Sequence, residues 1–314
     1  MKRLLSAIIL MVLGACGNPG GQTPYNYPER IVDSLEVSGE VWDIGVSGGV
    51  LYVLFKDTLG SWRVGFYNNL DLSELANLAP GNDGLGFSSS AVGIGKLYVS
   101  FAGAYSDSAH IVVINLTGYS VDTELLAPGA WGPMAMGSGK LYYLSDSNGI
   151  LYCLDPSTGA VTESQSQITP LVVGDIIYVA GYGFFVTDQH GNTLYLIDEL
   201  GILLDSWGVD NSPQKIAWDG YRALLTAGPG LCPVSLSVGK LPTLIFPDAK
   251  AVAVSPDTQI ILVGYRDGVA SVSVNELEDL GTAPTPFPIN LLAPAGPARA
   301  FASAWGKSKV YLIE

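Results

Sequence analysis

From about residue 30 onward, short runs of Val, Ile, Leu, Tyr and Phe alternate with clusters of Gly, Asn, Asp and Pro. No long run carries a helical period. This is the pattern of strands separated by tight turns. One arrangement recurs: a strand of small residues, a Gly turn, then an apolar strand centred on Tyr. It reads Ile44-Gly-Val-Ser-Gly-Gly-Val-Leu-Tyr52, Val92-Gly-Ile-Gly-Lys-Leu-Tyr98 and Met136-Gly-Ser-Gly-Lys-Leu-Tyr142. Further copies run from Val172 to Tyr178, Ile216 to Ala223, Val252 to Leu262 and Phe301 to Tyr311. Their anchors are Tyr52, Tyr98, Tyr142, Tyr178, Ala223, Leu262 and Tyr311, spaced 36 to 49 residues apart.

That spacing is the length of a four-stranded propeller blade. A lone four-stranded sheet cannot bury both its faces, whereas blades stacked in a ring bury them and leave only short edges. Seven anchors therefore predict an all-β propeller of seven blades, mostly of four antiparallel strands. The final copy ends at Glu314 with too few strands, and Arg30 to Val37 precedes the first copy. The N-terminal strand is expected to close the ring as the outer strand of the last blade, which could then hold only three strands. Six or eight blades are the alternatives.

Third and fourth strands are clearest in Gly149-Ile-Leu-Tyr-Cys-Leu-Asp155-Pro-Ser-Thr-Gly159 and Asn192-Thr-Leu-Tyr-Leu-Ile-Asp198-Glu-Leu-Gly201. Asp starts such turns by bonding its own backbone, and Gly supplies positive φ. These two segments resemble the quinoprotein-type propeller repeat, and Val254-Ser-Pro-Asp257 resembles the turn of the related surface-protein repeats.

The first residues have a different character. Lys2 and Arg3 precede an apolar run from Ala7 to Leu13, too short to span a membrane, and then Leu13-Gly14-Ala15-Cys16. This is the layout of a secretory leader. The last four residues resemble the lipobox of bacterial lipoproteins, which implies cleavage before Cys16 and acylation of that cysteine. The alternative is an ordinary signal peptide with an incidental Cys. The expected organisation is a leader at 1–15, a lipidated Cys16 with a Gly/Pro-rich tether at 16–28, and one propeller domain at 29–314. Stable anchoring takes two or more acyl chains. The resemblance places the protein outside the cytoplasm, attached to a membrane. In a cell with two membranes, Gly17 after the Cys favours the outer one.

Composition narrows the function. The net charge of −14 becomes −16 once Lys2 and Arg3 are removed with the leader. Nothing is left to build the basic face of a nucleic-acid binder, and charge would not draw the body to anionic lipid. The two histidines, His110 and His190, fall in different blades, and there is no Cys-x-x-Cys. No zinc-type spacing, serine-nucleophile elbow or phosphate-binding loop is present. Cys153 and Cys232, in third strands of non-adjacent blades, are expected to be buried free thiols.

Two loop sets remain. Turns after second strands carry Asp57, Asp107, Asp146, Asp188 and Asp267, on the face that also holds the blade-to-blade connections. Such a ring of carboxylates could hold Ca²⁺, which takes six to eight oxygens. Turn initiation accounts for each Asp equally well. The same face is expected to present Tyr105, Trp131, Tyr182, Phe184, Phe185 and Trp207 as a docking surface, with Arg266 as an anchor in the mouth. The alternative for Trp131 and Trp207 is filling gaps between blades.

Together these features point to a lipid-anchored scaffold that binds another envelope protein, like the quinoprotein-like lipoprotein of the outer-membrane assembly machinery. Other readings are a lactonase- or lyase-like propeller enzyme with a channel cation, and a surface lipoprotein that binds glycans. No organic cofactor is implied. A channel with three or more convergent Asp, Glu, Asn or His would favour the enzyme, and an apolar or plugged one would oppose it.

Overall fold

The structure, a computed structural model, describes residues 27–102, 108–128, 132–145, 149–170, 172–257 and 259–314. These residues contain strands and turns and no helix. The first strand, β1 (Ile31–Glu36), is followed by blade 1, formed by β2 (Gly39–Ser47), β3 (Val50–Asp57), β4 (Trp62–Asn68) and β5 (Glu74–Leu78). Blade 2 comprises β6 (Gly86–Gly93), β7 (Lys96–Ala102), β8 (Ser108–Asn115) and β9 (Ser120–Pro128). Blade 3 comprises β10 (Met134–Gly137), β11 (Lys140–Leu144), β12 (Ile150–Leu154) and β13 (Val161–Gln165). Blade 4 comprises β14 (Val173–Val179), β15 (Gly183–Asp188), β16 (Thr193–Ile197) and β17 (Leu203–Gly208).

Blade 5 has β18 (Ile216–Trp218), β19 (Arg222–Ala227) and β20 (Gly230–Ser235), with an outer strand broken into β21 (Gly239–Lys240) and β22 (Leu244–Ile245). Pro242 lies in the break, where a residue without an N–H cannot continue a ladder. Blade 6 comprises β23 (Ala251–Val254), β24 (Ile260–Tyr265), β25 (Gly268–Ser273) and β26 (Asp279–Pro284). Blade 7 comprises β27 (Leu291–Gly296), β28 (Arg299–Ser303) and β29 (Lys309–Ile313).

β1 pairs antiparallel with β29, so the last sheet runs β1-β29-β28-β27. The expected closure by residues 30–37 is therefore found, but the final blade has four strands rather than three. Its inner strand, β27, lies in Leu-Leu-Ala-Pro-Ala-Gly, where Pro294 masks a strand pattern. The seven inner strands pack side by side in order, and β27 meets β2 to complete the ring.

Second strands begin at Val50, Lys96, Lys140, Gly183, Arg222, Ile260 and Arg299, at intervals of 38 to 46 residues. Five sequence anchors fall on them. Tyr178 instead lies on inner strand β14 and Tyr311 on third strand β29, which explains the uneven spacing of the anchors.

The glycines of the repeat have two separate tasks. Ile94–Gly95 and Ser138–Gly139 take positive φ through the two-residue hairpins after β6 and β10, the geometry that matches strand twist. The glycine before each turn has another reason. A Cβ on Gly93 would lie 2.7 Å from Met136, and one on Gly137 would lie 2.8 Å from the Tyr178 ring. Neighbouring inner strands converge at the axis, and only a hydrogen fits there.

The core lies between blades. Trp62 is buried between blades 1 and 2, with ring centroids 5.4 Å from Phe101 and 5.9 Å from Trp42, and its Nε1 donates to Leu85 O at 3.0 Å. Phe184 packs toward blade 3 and Phe185 toward blade 5. A middle strand of a sandwiched blade is buried on both faces, so it reads as a continuous apolar run.

Candidate binding site at the mouth of the central channel

The inner strands start at the face that carries the blade-to-blade connections. At that end they surround a cavity of about 450 Å³ to which all seven blades contribute. Three inner strands carry a β-bulge there. The register slips between Val41 and Asp43, between Phe87 and Ser89, and between Val173 and Ile176. A bulge inserts an unpaired residue and re-aims its side chain. The residues so placed include Trp42, Ser88 and Asp175, all of which line the cavity.

Two carboxylates and one ammonium form its polar centre. Asp43 accepts hydrogen bonds from the Ser90 hydroxyl and, at 2.9 Å, from the Ile44 N–H. The Tyr52 hydroxyl lies 3.2 Å from Ser90 Oγ. Asp175 accepts from the Ile216 N–H at 3.1 Å, and Lys215 Nζ stands 3.8 Å from its other oxygen. Withdrawal from water pushes both carboxyls above their ordinary range. Lys215 opposes that shift at both groups, and the charge of Asp175 adds to it at Asp43. One ammonium thus serves two carboxylates.

The rim and wall add further donors and an aromatic surface. Trp42 Nε1 is buried with no hydrogen-bond partner, a costly state for a donor unless something supplies an acceptor. Trp305, 53% exposed on the turn after β28, stands at the mouth, and its backbone N–H donates to Asn290 Oδ1 at 2.8 Å. Lys250 lines the cavity from the neighbouring blade 6. The cavity is therefore open and polar, with Asp43, Asp175 and Asn290 in its wall.

The carboxylates expected to hold Ca²⁺ behave differently. Asp57 accepts from the N–H groups of Leu59 at 3.0 Å and Ser61 at 2.9 Å and pairs with Arg63 at 3.1 Å. These bonds hold its carboxyl below the usual range. Asp188 is buried and accepts from the N–H groups of His190 at 3.2 Å and Gly191 at 3.0 Å. Asp57 is bound within its own turn and strand, and Asp188 also accepts from the Val172 N–H at 3.3 Å. Asp267 is exposed beside Arg266. Asp107 and Asp146 lie outside the described residues. Among the described residues no group of three or more His, Cys, Asp or Glu is arranged for a metal.

The expected aromatic surface is largely corrected. Phe184 and Phe185 are fully buried in β15 and cannot meet a partner. Tyr182 is exposed, but it sits in the turn between β14 and β15, on the face opposite the mouth, with its ring tilted against Trp218 at a centroid distance of 5.3 Å. Trp207 is half-buried in outer strand β17 and reaches toward Gly239 of blade 5, so it fills the gap between blades. Tyr105, Trp131 and Cys16 lie outside the described residues. Arg266 does stand on the mouth face, with its guanidinium donating to Asp248 at 2.6 and 2.9 Å. Cys153 and Cys232 are free and occupy the third strands of blades 3 and 5. Cys232 is buried as expected, but Cys153 is only half-buried.

Sequence reasoning missed Trp42, Asp43, Asp175, Lys215, Lys250 and Trp305. A signal was present. Asp43 and Asp175 are charges inside otherwise apolar inner strands, Val-Trp-Asp-Ile and Val-Gly-Asp-Ile. A charge there must face a channel or find a partner.

No protein-family model matches the chain, and no curated protein matches it. Among solved structures, the WD40 domain of Pan2 from Neurospora crassa is similar, with a TM-score of 0.73 at 9% identity, over 93% of this chain and 97% of that one. At that identity the likeness establishes the fold, a seven-bladed β-propeller.

Proposed function

We propose that the protein is a lipid-anchored, extracytoplasmic propeller that serves as an interaction module of the cell envelope and receives a partner protein at the channel mouth. The leader and the Leu13-Gly14-Ala15-Cys16 string support the anchor and location. The observation that carries the binding site is a cavity shared by all seven blades, with Asp43, Asp175 and Lys215 in its wall and Trp305 exposed at its mouth. A partner segment that enters the cavity meets these charged side chains, while its apolar part covers Trp305. Propellers commonly serve as protein-interaction scaffolds, and the fold shared with a WD40 domain supports this reading.

The test is capture from detergent-solubilised membranes with the full chain. Wild type is expected to retain one stoichiometric envelope protein, and Trp305→Ala with Asp43→Ala to lose it. Equal capture by both proteins would sink the proposal.

One observation favours a second reading, a lactonase- or lyase-like enzyme with a cation in the channel: Asp43, Asp175 and Asn290 converge on one cavity. Thermal stabilisation by Ca²⁺ that disappears in Asp175→Asn would support that reading. Retention of a glycan instead of a protein, with loss in Trp305→Ala, would identify a carbohydrate-binding surface.

A further inference from the structure

The turns of a propeller divide between two faces. The turns from first to second strands and from third to fourth strands lie on the basal face, opposite the cavity. Six large apolar side chains there are 46% to 77% exposed: Leu70, Ile94, Tyr182, Leu200, Tyr221 and Val238. Among described turn residues on the mouth face, Leu59 and Trp305 are the comparable ones. Outer strands are mixed: Val32, Leu75, Val121, Leu203 and Leu204 are exposed toward the basal ends of β1, β5, β9 and β17, whereas Leu126 and Ile245 are exposed toward the mouth ends of β9 and β22. Single exposed apolar residues need no explanation, but a face that collects them marks a contact surface.

The chain enters on this same face. β1 takes the outer-strand position of blade 7 and runs from its basal end toward the mouth. The N–H groups of Glu29 and Arg30 both donate to Glu314 O, at 3.0 and 2.9 Å, at the basal end of β29. Cys16 is only eleven residues before Tyr27, and a coil of that length reaches roughly 20 Å.

We propose that the basal face is apposed to the bilayer, with Tyr221, Leu200, Val238 and their neighbours in its interfacial layer, so that the channel mouth opens away from the membrane. This rests on the lipid anchor proposed above. A short tether limits which face can approach, and exposed side chains on that face gain by leaving water. Charge does not contribute, because the chain is strongly acidic. The apposition is therefore expected to be strongest on neutral phosphatidylcholine and to weaken as anionic lipid is added.

The experiment uses the lipidated full chain in phosphatidylcholine vesicles containing acyl-chain nitroxide lipid. Single cysteines at two exposed positions, Tyr221→Cys on the basal face and Leu59→Cys on the mouth face, carry an environment-sensitive fluorophore. Unsubstituted protein measures background labelling at Cys153 and Cys232. The Tyr221 label should be quenched at least twofold more than the Leu59 label. Equal or reversed quenching overturns the inference. Quenching of neither label in pure lipid, with the Tyr221 label shielded only when membrane proteins are added, overturns it in favour of a protein on that face. Mass spectrometry of the N-terminal peptide reports Cys16 acylation independently. An acylated protein with equal quenching removes the orientation and leaves the anchor, whereas an unmodified Cys16 removes the anchor.

Discussion

Ile31 stands opposite Ile313 in the ladder that joins the first strand to the last. The ring is closed by that pairing, and residues almost the whole chain apart hold one blade together. Removal of residues 1–37 would strip β29 of its outer neighbour and expose an unpaired edge. The expected loss of stability exceeds that of Phe301→Ala, a fully buried blade 7 side chain whose truncation costs about 3–5 kcal/mol. Urea unfolding of both variants checks the order. A deletion milder than Phe301→Ala would mean that the ring closes without its seam.

Asp43 gives a signed pH prediction. Its carboxyl is raised by withdrawal from water, so the folded state holds the proton more tightly than the unfolded chain does. Wild type should lose stability as pH rises through the unfolded value near 4 toward the higher folded one. Asp43→Asn cannot titrate. Its stability relative to wild type should therefore climb across that window and level off above it. Calorimetric melting from about pH 3 to about pH 8 measures the difference. A difference independent of pH would contradict the assignment.

Trp42 separates binding from folding. Trp42→Phe keeps an aromatic ring near Trp62 and removes the unpaired donor. Stability should stay within about 0.5 kcal/mol of wild type or rise. Partner retention should be unchanged, because the nitrogen is enclosed by the protein itself. A large loss of stability would mean that the packing of the larger indole ring outweighs the cost of its unpaired nitrogen.

The buried phenols predict alkaline behaviour. Burial, with help from Glu74, pushes Tyr67 up to about 12, and burial pushes Tyr52, Tyr142 and Tyr143 in the same direction. Each favours the neutral folded form. The stability they contribute is complete below the unfolded value near 10 and is lost as pH rises through the folded values. The phenolate absorbance of these four should appear with unfolding rather than before it. Full ionisation of a folded protein would contradict the burial.

The strand-and-turn pattern made the ring and its closure legible because each blade repeats one hairpin with its turn glycines. Strand rank was harder to read. In blade 4 the inner run Ile176-Ile177-Tyr178-Val179 is as apolar as the second strand, so periodicity cannot separate them. Phe184 and Phe185 looked like loop residues because Gly181-Tyr182-Gly183 resembles one end of a long loop. It is a tight hairpin, and both rings enter the core. The channel was hidden for another reason. Bulges at Trp42, Ser88 and Gly174-Asp175 break the alternation that tells inward from outward, and Trp305 and Lys250 meet them only after closure.

Before reaching β1, the chain is held by blade 6. The Pro28 carbonyl accepts from Ser271 Oγ at 3.3 Å, and the Tyr27 ring covers Gly281, where an added Cβ would lie 3.3 Å away. A pull on the N-terminal segment therefore does not fall first on the β1–β29 seam, which would unzip one rung at a time. It falls on this clasp, which spreads the load onto a neighbouring blade. The disc is mechanically guarded at the one joint where its covalent circle is broken.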